Sequence, residues 1–124
     1  MHNFKELKFW QKAVDLSVII YKITATFPTD EKFGLVSQLR RATVSIASNI
    51  AEGSSRNGNK EFLHFLSIST GSAYEIETQL IIANKLEYLQ EAELEKLLLS
   101  VTEIQKMIYS FSKKIKENNL LYKH

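Results

Sequence analysis

The sequence predicts an all-α fold, an antiparallel up-and-down four-helix bundle that assembles into a homo-oligomer. Its 124 residues include one proline and four glycines, so long stretches lack residues that break helices. The hydrophobic content of 44% and the charged content of 24% are ordinary for a domain with a single core. Apolar side chains recur at three- and four-residue steps along four segments, which is the periodicity of amphipathic helices. Because short loops join these segments, we expect one bundle domain over residues 1–124.

The first helix is predicted from Phe9 to Thr26, and it ends there because Pro28 disfavours helix in the residue before it. It carries one apolar face for the bundle core and a second apolar strip beside that face. This is more apolar surface than one bundle face buries, so we predict that the strip is an oligomer interface. The strip consists of Trp10, Val14, Val18 and Tyr21.

The second helix is predicted from Leu35 to Glu52, with Gly53 suited to its C-terminus. The third is predicted from Lys60 to Leu86, with a loop asparagine capping its start. Gly71 lies inside it and indicates close backbone contact with a neighbouring helix.

The fourth helix has the clearest apolar repeat of the chain. It is predicted from Glu91 to Lys116, and we expect residues 117–124 to form a flexible tail.

The charge is distributed unevenly along the chain. Residues 1–60 carry nine positive and five negative side chains, residues 61–112 carry three and eight, and the rest of the chain is basic again. Such a distribution attracts either a second copy of the chain or the phosphates of a nucleic acid. Apart from Tyr122, no aromatic side chain lies among the basic clusters, so we expect contact with the nucleic-acid backbone rather than with bases. The candidate residues are Arg40, Arg41, Arg56, Lys60, Lys113, Lys114 and Lys116.

The sequence indicates no metal site and no cofactor. It contains no cysteine, which excludes cysteine-ligated zinc and a thiolate nucleophile. Glu61 and His64 have the spacing of a di-iron ligand pair, but such a site needs a second pair, and the other histidines are His2 and His124.

No catalytic centre is evident either, so we expect a protein that is not an enzyme. The loop from Gly53 to Lys60 lacks the ending of a nucleotide-binding Walker loop, and both an anion contact and a plain connection remain open for it. Ser45 and Ser48 have no histidine placed to act as a base, so we interpret them as helix-packing residues.

Two further expectations concern packing and location. Glu75 lies near the buried face of the third helix, and we predict an ion pair between it and Arg41. The longest apolar run, Leu16 to Tyr21, is too short to cross a bilayer, so we expect a cytoplasmic protein.

Several segments between residue 7 and about residue 89 together resemble the 23S ribosomal RNA intervening sequence protein family. They are Leu7–Ala13, Phe27–Pro28, Phe33–Leu35, Gln38–Ala42, Ser45–Gly53, Lys60–Phe62, Gly71–Ser72, Glu75 and Gln79–Leu80.

The resemblance implies a bundle that assembles as a ring-shaped homopentamer and has no established enzymatic activity. It also implies similarity to the accessory protein of diversity-generating retroelements, which is thought to contact nucleic acid and a reverse transcriptase. Four polar positions of the family pattern form a candidate structural network: Arg41, Asn49, Glu52 and Glu75. The leading hypothesis is therefore a protein that binds RNA or DNA, and the alternative is a protein-interaction scaffold that binds no nucleic acid.

Overall fold

The computed structural model describes residues 3–122, with side chains through residue 118, and within this range it contains helices and no strand. The four α-helices are α1 (Lys8–Thr24), α2 (Leu35–Ser54), α3 (Asn59–Lys85) and α4 (Glu91–Tyr122). Single 3-10 turns at Phe4–Glu6 and Thr29–Glu31 precede α1 and α2. The all-α class and the four helices predicted from the sequence are confirmed.

Three helix ends differ from the prediction. The second helix continues through Gly53 to Ser54, so this glycine lies inside the helix and does not end it. The third begins at Asn59 with Gly58 as its N-cap and no capping side chain, because the asparagine has itself entered the helix. The fourth continues from Lys116 to Tyr122, since no glycine or proline stops it. Of the predicted flexible tail, residues 117–122 are thus helical, and residues 123–124 lie outside the described residues.

The core lies between the four helices. Helix α1 packs on α2 and α4, and α3 packs on the same two helices. Complete burial of a leucine or isoleucine side chain stabilises the fold by about 1.5–3 kcal/mol. The largest side chains with almost no exposed surface are Leu16, Ile20, Leu39, Ile46, Ile50, Leu66, Ile76, Leu80, Leu89, Val101, Ile104 and Ile108.

Small residues bring α2 and α3 close together. Ser69 Oγ donates a hydrogen bond of 2.9 Å to the carbonyl oxygen of Ile46, and Ser72 Oγ donates one of 2.8 Å to Ser45 Oγ. These buried hydroxyls are therefore satisfied by the neighbouring helix, as buried polar groups must be. Ser45 has the packing role that the sequence predicted for it.

Gly53 also lies close to α3. A Cβ atom at this position would lie 2.7 Å from Cβ of Phe65 and 2.9 Å from Cδ1 of Phe62. Gly71 differs, because it is exposed and a Cβ atom there would have no neighbour within 4 Å. The predicted close contact at Gly71 is therefore wrong within this chain, since the residue lies on the outer face of α3.

The turn between α3 and α4 is a Schellman motif. Glu87 has a φ of 68°, in the left-handed region, and its N–H donates to the Asn84 carbonyl over 2.9 Å. The N–H of Tyr88 donates to the Ala83 carbonyl over the same distance. These two bonds satisfy carbonyl groups that the end of α3 leaves free.

Tyr88 ties this turn to the segment before α2. Its ring lies 5.5 Å from that of Phe27, and its hydroxyl donates a hydrogen bond of 3.1 Å to Glu31 Oε2. This hydrogen bond, together with partial burial and the negative charges of Glu31 and Asp30, raises the pKa of Tyr88 above the ordinary value.

No helix in residues 3–122 combines the length and the apolar character that a bilayer span requires.

Substituting the two helical glycines should change stability in opposite directions. We expect Gly53→Ala to lower the free energy of unfolding by about 1–3 kcal/mol, because the added methyl group would overlap two phenylalanine side chains. Gly71→Ala is the matched control and should raise it by up to about 1 kcal/mol through helix propensity. Urea unfolding monitored by circular dichroism measures both, and a Gly53→Ala variant as stable as the parent would contradict the packing at this site.

The hydrogen bond of Tyr88 should be visible in a spectroscopic titration. The protonated phenol donates this hydrogen bond, so the bond stabilises the folded state below the ordinary tyrosine pKa of about 10. This stabilisation is lost as the pH rises through the raised pKa of Tyr88. Glu31→Gln removes the charge and should lower the pKa of Tyr88. Ultraviolet absorbance of tyrosinate follows the titration, with Tyr88→Phe identifying the signal among the five tyrosines. An identical titration in Glu31→Gln and the parent would refute the interaction.

Candidate nucleic-acid interface

Packing of three phenylalanine rings joins the start of α1, the start of α3 and the end of α4. The ring of Phe111 lies 5.2 Å from that of Phe9 and 5.5 Å from that of Phe62. The end of α2 joins them, because Gly53 lies against Phe62. We call this part of the bundle the Phe111 end, comprising residues 4–12, 52–64 and 106–118.

The Phe111 end is basic. It carries four glutamates and nine lysines or arginines, although these lie in three separate parts of the sequence. One of the nine, Lys12, pairs over 2.9 Å with Glu103, which lies just outside these ranges. Such an excess of one sign creates a surface potential that attracts phosphate groups. The basic residues are Lys5, Lys8, Lys12, Arg56, Lys60, Lys106, Lys113, Lys114 and Lys116.

The opposite end of the bundle has no such excess of basic residues. We call it the Tyr88 end, comprising residues 26–37 and 85–96, which the contacts of Tyr88 with Phe27 and Glu31 bring together. These residues carry three lysines and six carboxylates, and Lys22 and Arg40 lie at the adjoining end of α1. The uneven charge along the sequence thus becomes a difference between the two ends of the bundle.

The structure brings together five of the seven basic residues that the sequence singled out. Arg56, Lys60, Lys113, Lys114 and Lys116 all lie at the Phe111 end with exposed side chains. The other two, Arg40 and Arg41, lie in the first half of α2 and do not join this cluster.

The side chain of Arg40 makes hydrogen bonds within its own chain. Its Nε donates a hydrogen bond of 3.0 Å to Thr24 Oγ1, and its Nη2 donates one of 3.1 Å to the carbonyl oxygen of Tyr21. The guanidinium carbon also lies 4.6 Å from the centre of the Tyr21 ring. Arg40 therefore stabilises the C-terminal end of α1, where a positive charge is favourable.

Arg56 has a weaker internal partner. Its Nη2 lies 2.7 Å from Glu52 Oε1 one turn earlier, and its guanidinium lies 5.0 Å from the centre of the Phe65 ring. Both members of the ion pair are exposed, and such a pair contributes about 0–1 kcal/mol. A phosphate group can therefore compete with Glu52 for Arg56.

Lysines of α4 line two grooves at this end. One groove, of about 510 Å³, lies between α4 and the start of α1 and is lined by Lys8, Lys106 and Lys114. The other, of about 700 Å³, lies between α3 and α4 and is lined by Lys106 and Lys116. Sequence reasoning missed Lys106, although it precedes Lys113 by seven residues and so lies two turns away on the same face of the helix.

The four residues of the predicted polar network are not joined to one another. Within the described residues, no ion pair links Arg41 to Glu75, and both side chains are exposed. Asn49 Nδ2 instead donates to the carbonyl oxygen of Ser45 over 2.9 Å and to its Oγ over 3.0 Å. Glu52 pairs with Arg56, so each member has a local partner or faces solvent.

Three residues of the predicted oligomer interface line one apolar groove. The groove has a volume of about 550 Å³ and lies between the outer faces of α1 and α2, with Val18, Tyr21 and Val44 exposed. Exposed apolar surface of this kind is typical of protein contact sites. We call this the α1–α2 groove; its apolar side chains come from Val14, Val18, Tyr21, Val44 and Ala47.

Trp10, the fourth predicted interface residue, lies outside this groove. It is half-buried against the core, and its ring makes an edge contact of 5.1 Å with Phe4. The 3-10 turn before α1 therefore covers part of the apolar surface that the sequence left unassigned.

Metal-ligating side chains do not cluster within the described part of the chain. It contains no group of three or more histidine, aspartate or glutamate residues that could hold a metal ion. His64 makes an edge contact of 5.4 Å with the ring of Phe65.

Comparison with known proteins places the chain in a family. The sequence pattern of the 23S rRNA-intervening sequence protein family matches residues 5–110. No curated protein matches the chain significantly. Among solved structures, it is similar to a protein of unknown function from the S23 ribosomal protein family of Bacteroides thetaiotaomicron, with a TM-score of 0.77 and 27% sequence identity over 85% of this chain and 98% of that chain. The family match over most of the sequence shows that this chain belongs to the 23S rRNA-intervening sequence protein family.

Proposed function

We propose that this protein is a non-enzymatic homo-oligomer that contacts the backbone of RNA or DNA through the Phe111 end. The observation that carries the proposal is the gathering of nine basic side chains against four glutamates at one end of the bundle. Exposed lysines bind phosphates as point charges and release counterions from the nucleic acid. Binding of this kind depends little on sequence and weakens steeply as salt is added.

The proposal includes antiparallel neighbouring helices. It is supported by pairs of hydrogen-bonded residues on neighbouring helices. From one pair to the next, the residue number rises on one helix and falls on the other. These pairs are Ser17 with Thr43 and Thr24 with Arg40 for α1 and α2, and Ser69 with Ile46 and Gln79 with Gln38 for α2 and α3.

The proposal also includes a ring-shaped homo-oligomer, with a pentamer as the state that the family resemblance implies. The α1–α2 groove supports it, because a second copy would cover the apolar side chains exposed there. A ring would repeat the basic end several times and would raise the avidity for a long nucleic acid without any new contact. Such a particle could also present the nucleic acid to an enzyme such as a reverse transcriptase.

The alternative is a protein-interaction scaffold that binds no nucleic acid. It is favoured by the unequal charges of the two ends, which can guide the association of protein chains. In that case added salt should weaken the association between subunits, and the protein should bind neither RNA nor DNA even at low salt.

Removing lysines from the Phe111 end should weaken nucleic-acid binding. We expect the triple variant Lys113→Ala, Lys114→Ala and Lys116→Ala to bind duplex DNA with a weaker dependence on salt. The negative slope of the logarithm of the association constant against the logarithm of the salt concentration should become shallower by about two to three, because each phosphate contact contributes about 0.9. The matched control combines Lys32→Ala, Lys85→Ala and Lys96→Ala at the Tyr88 end, which removes the same charge. Fluorescence anisotropy over a salt series measures both. Absence of binding by the parent protein at low salt, or equal losses in the two variants, would count against the proposal.

A charge placed in the α1–α2 groove should disrupt the oligomer. We expect Val18→Asp to produce smaller particles at micromolar concentration, since a buried carboxylate without a partner is costly. Leu99→Asp is the control, because this leucine is 72% exposed on α4 and lines neither the α1–α2 groove nor the two grooves beside the α4 lysines. Light scattering reports the particle mass, and circular dichroism verifies that each variant is folded. A monomeric parent protein, or equal masses for the parent and Val18→Asp, would contradict an interface in this groove.

A further inference from the structure

The groove between α3 and α4 has an apolar floor and polar walls. Leu66 and Ile108 are fully buried beneath it, and Leu63 packs beside them. Its volume of about 700 Å³ falls within the range of sites that hold small molecules or single bases. We call it the α3–α4 groove.

Two tyrosines line this groove with most of their surface in water. Tyr74 on α3 is 58% exposed, and Tyr109 on α4 is 70% exposed. A tyrosine ring offers a large flat apolar face and loses little side-chain entropy when another ring stacks on it. One such face is therefore available from each of the two helices that form the groove.

The charged groups in the lining are all positive. Lys106 and Lys116 line the groove, and no carboxylate does, although residues 61–112 contain eight glutamates. Glu77 Oε1 accepts a hydrogen bond of 2.9 Å from Nε2 of Gln105, a lining residue. Part of the lining, including Leu63, Lys106 and Lys116, belongs to the Phe111 end.

We propose that the α3–α4 groove binds unpaired nucleotides of a single-stranded nucleic acid, with bases stacked on Tyr74 and Tyr109 and phosphates held by Lys106 and Lys116. Ring faces beside lysines match the alternation of bases and phosphates along such a strand. In a duplex the bases are stacked on one another and their faces cannot reach the tyrosines. This inference rests on the proposed function. It adds a preference for unpaired strands, because the basic side chains of the Phe111 end alone do not distinguish a single strand from a duplex.

Loss of either tyrosine should weaken binding to single strands selectively. We expect Tyr74→Ala and Tyr109→Ala each to raise the Kd for a labelled oligouridine or oligothymidine by about fivefold to a hundredfold, while Tyr→Phe at the same positions retains affinity because stacking needs only the ring. Affinity for a duplex of the same length should be unchanged. A selective loss of affinity for either homopolymer supports the proposal, and a comparison of oligouridine with oligodeoxyuridine, which differ only at the 2′ position, reports whether the groove senses the ribose hydroxyl.

The matched control is Phe33→Ala, which removes an aromatic side chain that is 90% exposed but lies at the Tyr88 end. It should leave both affinities unchanged. Photo-crosslinking with oligonucleotides that contain 5-bromouracil gives a second readout, and peptides with Tyr74 or Tyr109 should carry the crosslink.

The outcomes separate this inference from the proposed function. If the alanine variants bind single strands normally, or lose single-strand and duplex binding equally, the groove assignment is overturned while the lysine experiment still decides the proposed function. If the parent protein binds no nucleic acid at low salt, both fail. If Tyr74→Ala and Tyr109→Ala instead reduce the particle mass in light scattering, the groove is a contact between copies and the assignment is overturned.

Discussion

Contact among the rings of Phe9, Phe62 and Phe111 is the interaction on which the basic end of this protein depends. These three residues belong to three helices and lie far apart in the sequence. Because their rings pack together inside the core, the lysines on the outer surfaces of the same helix ends converge. Burial of apolar surface, the main driving force of folding, thus also creates the electrostatic feature that supports the proposed function.

Two of the three arginines make contacts within the chain. Arg40 is bound to the end of α1, and Arg56 contacts Glu52 and Phe65. The lysines of α4 face solvent or line grooves. Arginine provides the planar, directional hydrogen bonds suited to base edges, while lysine provides a mobile point charge. Because eight of the nine basic residues at the Phe111 end are lysines, contact with the phosphate backbone is favoured.

The two grooves use different helix pairs, so assembly and nucleic-acid contact need not compete. The α1–α2 groove is nearly all apolar, with exposed valines on both helices, and suits a second protein surface. The α3–α4 groove combines tyrosines, hydroxyl groups and lysines, and suits a charged ligand. In a ring, the α1–α2 groove of each copy would face a different surface of the next copy, and nucleic-acid contact requires that this surface is not the α3–α4 groove.

The sequence by itself determined the four helices, their approximate extents, the family and the apolar strip of α1, because periodicity and motif spacing are local properties of a chain. It did not determine that Gly53 lies in a tight contact and Gly71 in none, or that Arg41 and Glu75 form no ion pair. It also did not indicate that Tyr74, Tyr109, Lys106 and Lys116 line one groove. Those relations depend on how each helix is rotated and shifted against its neighbours, and the packing of the whole core sets that register.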